Sequence, residues 1–206
     1  MSNKERLEKL IEKKKNSEDR DALDFLESLR GNLEKWGELT AKQVAAFERI
    51  EYLSSQEGKD YVKAWQEEYS KNLTENAKVC AKYYLANPPY FNDLATKILH
   101  NPEFVPTEKQ YRALCENKYA VRVLKEYHRD PEFANGEIVQ VRDSVTMPYH
   151  LYPVKGKPCV VINNKTETIT THAKGAKTYK ILPFGKSTLF DCQERHLKGM
   201  KKKRKA

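Results

Sequence analysis

Four cysteines and five histidines are the residues of this chain best suited to nucleophilic or metal chemistry, and their spacing argues against both. Cys80, Cys115, Cys159 and Cys192 are widely scattered. None forms a C-x-x-C pair and none has a histidine at zinc-finger distance, so no metal site is expected. Cys80 and Cys115 fall on apolar helical stripes and Cys159 and Cys192 within strand-like runs, where a thiol behaves as a small hydrophobe. His100, His128, His150, His172 and His196 do not pair with a second histidine or a cysteine at ligand spacing. A Cys–His nucleophile would require Cys159 or Cys192 to meet His172. A metal nuclease would need converging acids, usually from strands, and the five acids after residue 135 are dispersed. Gly185-Lys-Ser-Thr188 has the closing letters of a phosphate-binding loop, but the glycine required five residues earlier is Lys180, and strands flank the segment on both sides. These residues lead to no catalytic group, no metal and no cofactor, and the chain is read as a binding protein.

The residues that do suggest a chemistry are cations and aromatics. Residues 1–135 carry 23 Lys/Arg against 24 Asp/Glu, whereas residues 136–206 carry 15 against 5, so the whole excess of the net +9 lies in the last third. That asymmetry is expected where one part of a chain meets a polyanion. Arg142, Lys155, Lys157, Lys165, Lys174, Lys177, Lys180 and Lys186 interleave with Tyr149, Tyr152, Tyr179 and Phe184. Cations beside exposed rings suit a single strand, through phosphate contacts and base stacking. The chain ends in Lys201-Lys202-Lys203-Arg204-Lys205, a run that cannot form a core and is expected to extend in water. Near a polyanion such a run releases counterions, giving a sequence-independent and salt-sensitive attraction.

The elements that must position these residues change type along the chain. Residues 1–19 are dense in charge, with Leu7, Leu10 and Ile11 as a thin stripe and like charges at i, i+4, so a poorly ordered arm is expected there. A first helix runs from about Arg20 to Trp36 on the stripe Ala22, Phe25, Leu26, Leu29 and Leu33, and Gly37 stops it. Thr40-x-x-Gln43 is a capping box that opens a helix to about Ser54. Tyr61, Trp65, Tyr69 and Leu73, continued by Ala77, Cys80, Tyr84 and Leu85, predict one long helix from about Asp60 to Leu85 with an aromatic core stripe. A short helix follows from about Tyr90 to His100. A second capping box, Thr107-x-x-Gln110, opens a helix ending before Asp130.

From Gly136 the period shortens to that of strands: Ile138–Val141, Leu151–Val154, Cys159–Ile162, Tyr179–Leu182 and Thr188–Cys192, with Asn163-Asn164 as a hairpin turn and Glu194–Leu197 as a closing helical turn. Gly136-Glu-Ile-Val-x-Val141, Gly156-Lys-x-x-x-Val161-Ile162, Tyr179-Lys-Ile-Leu182 and the ending Glu194-Arg-His-Leu197 together resemble the SH3-like barrels of the KOW and Tudor type. The resemblance covers about a third of the chain. It implies binding to nucleic acid, to a polymerase or to a peptide, and it identifies no pocket. Gly37-Glu-Leu-Thr-Ala-Lys-Gln43 resembles a helix start in small uncharacterised proteins of tailed phages, which implies no activity. The expected architecture is α+β: a charged arm at 1–19, a helical domain at 20–131, a small SH3-like β-barrel at 136–198 and a disordered basic tail at 199–206. Two functions remain open. One is a basic accessory protein whose barrel and tail hold DNA or RNA. The other is an interaction factor whose barrel docks on a polymerase or another replication or transcription protein. No run approaches a membrane span and Met1–Leu7 leads into charge rather than an apolar leader, so the expected location is the cytoplasm, or the nucleus in a eukaryotic or nuclear-virus setting.

Overall fold

A computed structural model describes residues 2–15, 19–143, 146–165 and 168–200. The chain divides into two compact units, residues 1–68 and 69–206. The division falls within the region expected to be one helical domain, rather than at residues 132–136. Across both units the fold is α+β: helices fill the first two-thirds and a five-stranded antiparallel sheet follows.

The first unit holds α1 (Asn3–Lys15), α2 (Arg20–Trp36), α3 (Ala41–Ser54) and α4 (Gln56–Glu68). Where a poorly ordered charged arm was expected, α1 is a helix that buries Leu7, Leu10 and Ile11 against α2 in a cluster with Leu26, Leu29 and Phe47. Its cations find partners on α3: Arg6 pairs with Glu51, and the Lys13 ammonium donates to the Ser54 carbonyl. Both ends of α2 fall where the stripe and Gly37 place them, with Gly37 left-handed at φ 75° and its N–H returning to the Leu33 carbonyl. The capping box at Thr40 is formed, Gln43 N–H donating to Thr40 Oγ1 at 3.3 Å and Thr40 N–H to Gln43 Oε1 at 2.9 Å. Gly58 lets α4 turn tightly out of α3, since a Cβ there would lie 2.0 Å from the Tyr52 carbonyl oxygen.

In place of one helix from Asp60 to Leu85 there are three segments: α4, a π-helical turn at Tyr69–Leu73 and α5 (Thr74–Leu85). The aromatic stripe is correspondingly split, with Tyr61 exposed and Tyr69 buried. In the second unit, α5 buries Ala77, Cys80, Ala81, Tyr83 and Tyr84 and packs against α6 (Asn92–His100), α7 (Glu108–Cys115) and α8 (Lys118–His128). The second capping box repeats the first, with Thr107 N–H to Gln110 Oε1 at 2.9 Å and Gln110 N–H to Thr107 Oγ1 at 3.3 Å. The single helix expected to follow it is broken at Asn117, whose carboxamide oxygen caps α8 by accepting from the Tyr119 and Ala120 N–H groups at 3.1 Å.

The sheet comprises β1 (Ile138–Val141), β2 (Pro158–Asn163), β3 (Thr178–Pro183), β4 (Phe190–Gln193) and β5 (Leu197–Gly199), in the order β4-β3-β2-β1-β5. Every pairing is antiparallel, and the arrangement is compatible with a small barrel-like fold. Alternation puts Val139, Val141, Cys159, Val161, Tyr179, Ile181 and Cys192 into one core with Phe133, Leu151 and Leu197. Three details differ from the strand pattern. Leu151–Val154 lies in a 3-10 helix (Tyr149–Val154), where Pro153 leaves no N–H for a ladder. Asn163-Asn164 does not close a hairpin: β3 begins only at Thr178, and the Asn164 carboxamide instead donates to the Phe133 carbonyl at 2.9 Å. Leu197–Gly199 pairs with β1 as a fifth strand after a 3-10 turn at Glu194–His196. Among the described residues no helix is long and apolar enough to cross a membrane.

Candidate functional site

Two surfaces of the second unit could bind a ligand. The first is built around the Tyr149–Val154 helix. Tyr149 is 89% exposed and Tyr152 47%, with ring centroids 5.8 Å apart. The Lys155 N–H donates to the Tyr152 carbonyl at 3.2 Å, and the Val141 N–H to the Lys157 carbonyl at 3.2 Å. Lys155 directly follows the helix that carries the ring pair, and Arg142, Lys155 and Lys157 all have exposed side chains. Arg142 is partly committed, since its Nε donates to the Leu197 carbonyl at 2.6 Å. The His150 ring approaches the Asp191 carbonyl at 2.8 Å and fixes the helix to β4.

The remaining candidates scatter. Lys165 and Lys174 are exposed in the long connection from β2 to β3. Lys180 is exposed on β3 but pairs with Asp191 at 3.3 Å. Lys186 and Phe184 are exposed on the β3–β4 turn, with the Lys186 ammonium 5.6 Å from the Phe190 ring centre. Lys201, Lys202, Lys203, Arg204 and Lys205 lie outside the described residues.

Two candidates are corrected outright. Lys177 is buried, and its ammonium donates to the Tyr127 carbonyl at 2.8 Å. Burial first, and the nearby Arg129 charge second, lower its pKa. Tyr179 is 1% exposed, so its ring cannot stack on a ligand. Its hydroxyl donates to Glu194 Oε2 at 2.7 Å. Both belong to a polar cluster that joins α8 to the sheet. The Arg129 guanidinium bridges Glu126, at 3.2 Å, and Glu194. The Glu132 N–H donates to Glu194 and the Gly175 N–H to Glu126, both at 2.9 Å. Burial alone would raise the Glu194 pKa, but the hydrogen bonds from Glu132, Tyr179 and Arg129 outweigh it and hold the carboxyl below its ordinary value. Every cluster member thus has a structural partner, and the arrangement is a clasp.

The second surface is a cleft of about 540 Å³ that the sequence did not suggest. Tyr83, Tyr84 and Phe91 form its inner wall, and Tyr90, Tyr119 and His172 its rim. Tyr83 and His172 share a hydrogen bond at 3.2 Å between the hydroxyl and Nδ1. The Tyr84 hydroxyl donates to Asn117 Oδ1 at 2.9 Å, and its ring lies edge-on to Phe91 at 4.8 Å. Phe91 stands at φ 55°, a left-handed conformation that is strained for a bulky residue and persists only where surrounding contacts enforce it. Asn87 fastens the segment carrying His172, donating to the Thr170 carbonyl at 2.9 Å and to the Tyr83 carbonyl of α5 at 2.8 Å. Lys118 contributes the cleft's formal charge, its ammonium 5.0 Å from the Tyr119 ring centre, and no carboxylate among the described residues lines the space.

The thiols do not join His172. Cys159 and Cys192 are buried in the sheet core, where burial pushes the Cys159 thiol up to about 11 and that of Cys192 higher still. Cys115 is raised by the adjacent Cys80 thiol and by burial. A thiolate nucleophile is disfavoured at all three positions. No family model, curated protein or solved structure matches the chain.

Proposed function

We propose that this chain is a non-enzymatic nucleic-acid-binding protein of the cell interior, in which the sheet and the basic residues 201–205 contact phosphates and the helices act as scaffold or docking module. The observation that carries the proposal is the exposed Tyr149–Tyr152 pair, on a helix that the exposed Lys155 directly follows, in the part of the chain with the +10 charge excess. Rings and cations so placed offer stacking and phosphate contacts to one strand. We read the sheet as a small SH3-like barrel. The support is five short antiparallel strands with a 3-10 turn between β4 and β5. The test is anisotropy of labelled DNA and RNA oligonucleotides across a salt series. Affinity falls steeply with salt, and deletion of residues 201–206, which leaves β5 intact, lowers it for all sequences. Binding indifferent to both salt and the deletion would refute the proposal.

A second reading has its own observation. Ile138, Val160 and Leu182 are register partners that form an apolar row across the outer face of β1, β2 and β3, and Ile138 is 45% exposed. Phe184 and Leu189 on the β3–β4 turn are exposed as well. Such a face suits docking on a protein such as a polymerase or replication factor. Partner retention that survives nuclease and high salt and is lost in Ile138→Lys would favour this reading over the first.

A further inference from the structure

We propose that the aromatic cleft between Tyr83 and Tyr119 holds one unpaired nucleobase, with the adjoining phosphate on Lys118. The proposal rests on the nucleic-acid reading above for its ligand class and narrows it to single strands. Four observations point to this occupant. The cleft, at about 540 Å³, is of the size of a small-ligand site and is lined mainly by rings. Its walls are fixed before binding: Tyr83 and Tyr84 are each 5% exposed and bonded to His172 and Asn117, so little side-chain freedom remains to be lost. Its rim offers exposed rings, Tyr90 at 70% and Tyr119 at 41%, the latter with the Lys118 ammonium 5.0 Å from its centre and the His172 ring 5.1 Å away. Its charge is positive, from Lys118 with no carboxylate among the described lining residues, which complements a nucleotide's phosphate.

The same charge argues against a methylated ammonium ligand. Such cations seek the negative face of a ring, and the Lys118 ammonium already lies 5.0 Å from the Tyr119 ring centre. A base within a duplex keeps its faces stacked on its neighbours, so the cleft selects unpaired or extruded bases.

The test uses the full chain, a labelled oligo-dT of about 12 nucleotides and a duplex of equal length at low salt. Tyr119→Ala and Tyr90→Ala each weaken single-strand binding about tenfold, the scale of one lost base stack, and leave duplex binding unchanged. Tyr119→Phe binds like the parent, because the ring face rather than the hydroxyl is used. Lys118→Ala lowers the salt slope by about one, whereas Tyr119→Ala leaves it unaltered. Tyr90 is so exposed that its removal leaves the core intact, which keeps the test independent of folding. Undiminished single-strand affinity in both alanine variants, with the parent still binding, would overturn the cleft assignment and leave the nucleic-acid reading standing. A parent chain that binds neither oligonucleotide would overturn both. Saturable occupation of the cleft by a proline-rich peptide, without competition from oligo-dT, would overturn the assignment in favour of a peptide site.

Discussion

Glu194 shows how a single side chain in the basic third of the chain serves the fold. It is 3% exposed and accepts from the Tyr179 hydroxyl, the Glu132 N–H and Arg129. Removing the carboxylate leaves the buried Tyr179 hydroxyl and the Glu132 N–H without their acceptor, at a cost of about 1–3 kcal/mol for each unsatisfied group. Glu194→Ala is expected to lose about 2 kcal/mol or more, measured by urea unfolding. The pH dependence follows from the same contacts. Because the folded carboxyl titrates below the ordinary 4.5, its stabilisation is complete above 4.5 and is lost as pH falls below it. His196 adds to the acid side. Burial first, then the Arg195 and His150 charges, depress it below the usual 6.5, and its Nδ1 accepts from the Gln193 N–H at 3.2 Å. The unfolded chain therefore takes up that proton more readily, and stability begins to fall below pH 6.5. Stability curves should thus decline in two stages on acidification, and Glu194→Gln should flatten the lower stage; an undiminished lower stage in that variant would assign it to other carboxylates. This part of the site was partly legible. Tyr179 and Ile181 share the inward parity of a strand while Lys180 points out, so the burial of Tyr179 follows from alternation. The burial of Lys177 was hidden, because its partner carbonyl lies 50 residues earlier in the chain.

At the scale of elements, local chemistry was the most readable. Both T-x-x-Q boxes form with the same geometry, because all their bonds span three residues. The cap at Asn117 is as local, but Ala120 stands where a box has Glu or Gln, so the pattern shows only half its signature. The Asn117 carboxamide makes five bonds: it accepts from Tyr119, Ala120 and the Tyr84 hydroxyl, and donates to the Ala113 and Leu114 carbonyls. Asn117→Ala removes the cap and orphans the Tyr84 hydroxyl, so a loss of about 2 kcal/mol or more is expected in thermal unfolding. Asn117→Asp keeps the accepting oxygen and should recover the greater part. An equal loss in both variants would place the stabilisation in the two donated bonds instead. For α1 the balance of magnitudes was the missing step. Like-charge pairs on a helix cost about 0.2–0.5 kcal/mol each. Burying Leu7, Leu10 and Ile11 contributes about 1.5–3 kcal/mol per side chain, enough to order a helix that charge alone would fray.

The whole molecule combines a property that sums along the chain with one that does not. Charge is additive, so the concentration of the +10 excess after residue 135 can be counted directly from composition. The cleft is not additive. Tyr83 and His172 are 89 residues apart, and no periodicity links them. The division between Glu68 and Tyr69 was masked for a related reason, because the every-fourth-residue stripe from Tyr61 to Leu73 runs across the boundary, although Tyr61 is exposed and Tyr69 buried. Each unit has its own core, around Leu26, Leu29 and Phe47 in the first and around Val139, Tyr179 and Ile181 in the second. Separate cores permit separate cooperative transitions. Leu26 and Ile181 are both fully buried, and truncation of either to alanine costs about 2–5 kcal/mol. Leu26→Ala should therefore lower one denaturant transition and leave the second in place, while Ile181→Ala does the reverse. Oligonucleotide should protect only the transition that Ile181→Ala moves, because both candidate surfaces belong to residues 69–206. If both substitutions shifted a single common transition, the two units would have to be treated as one cooperative body.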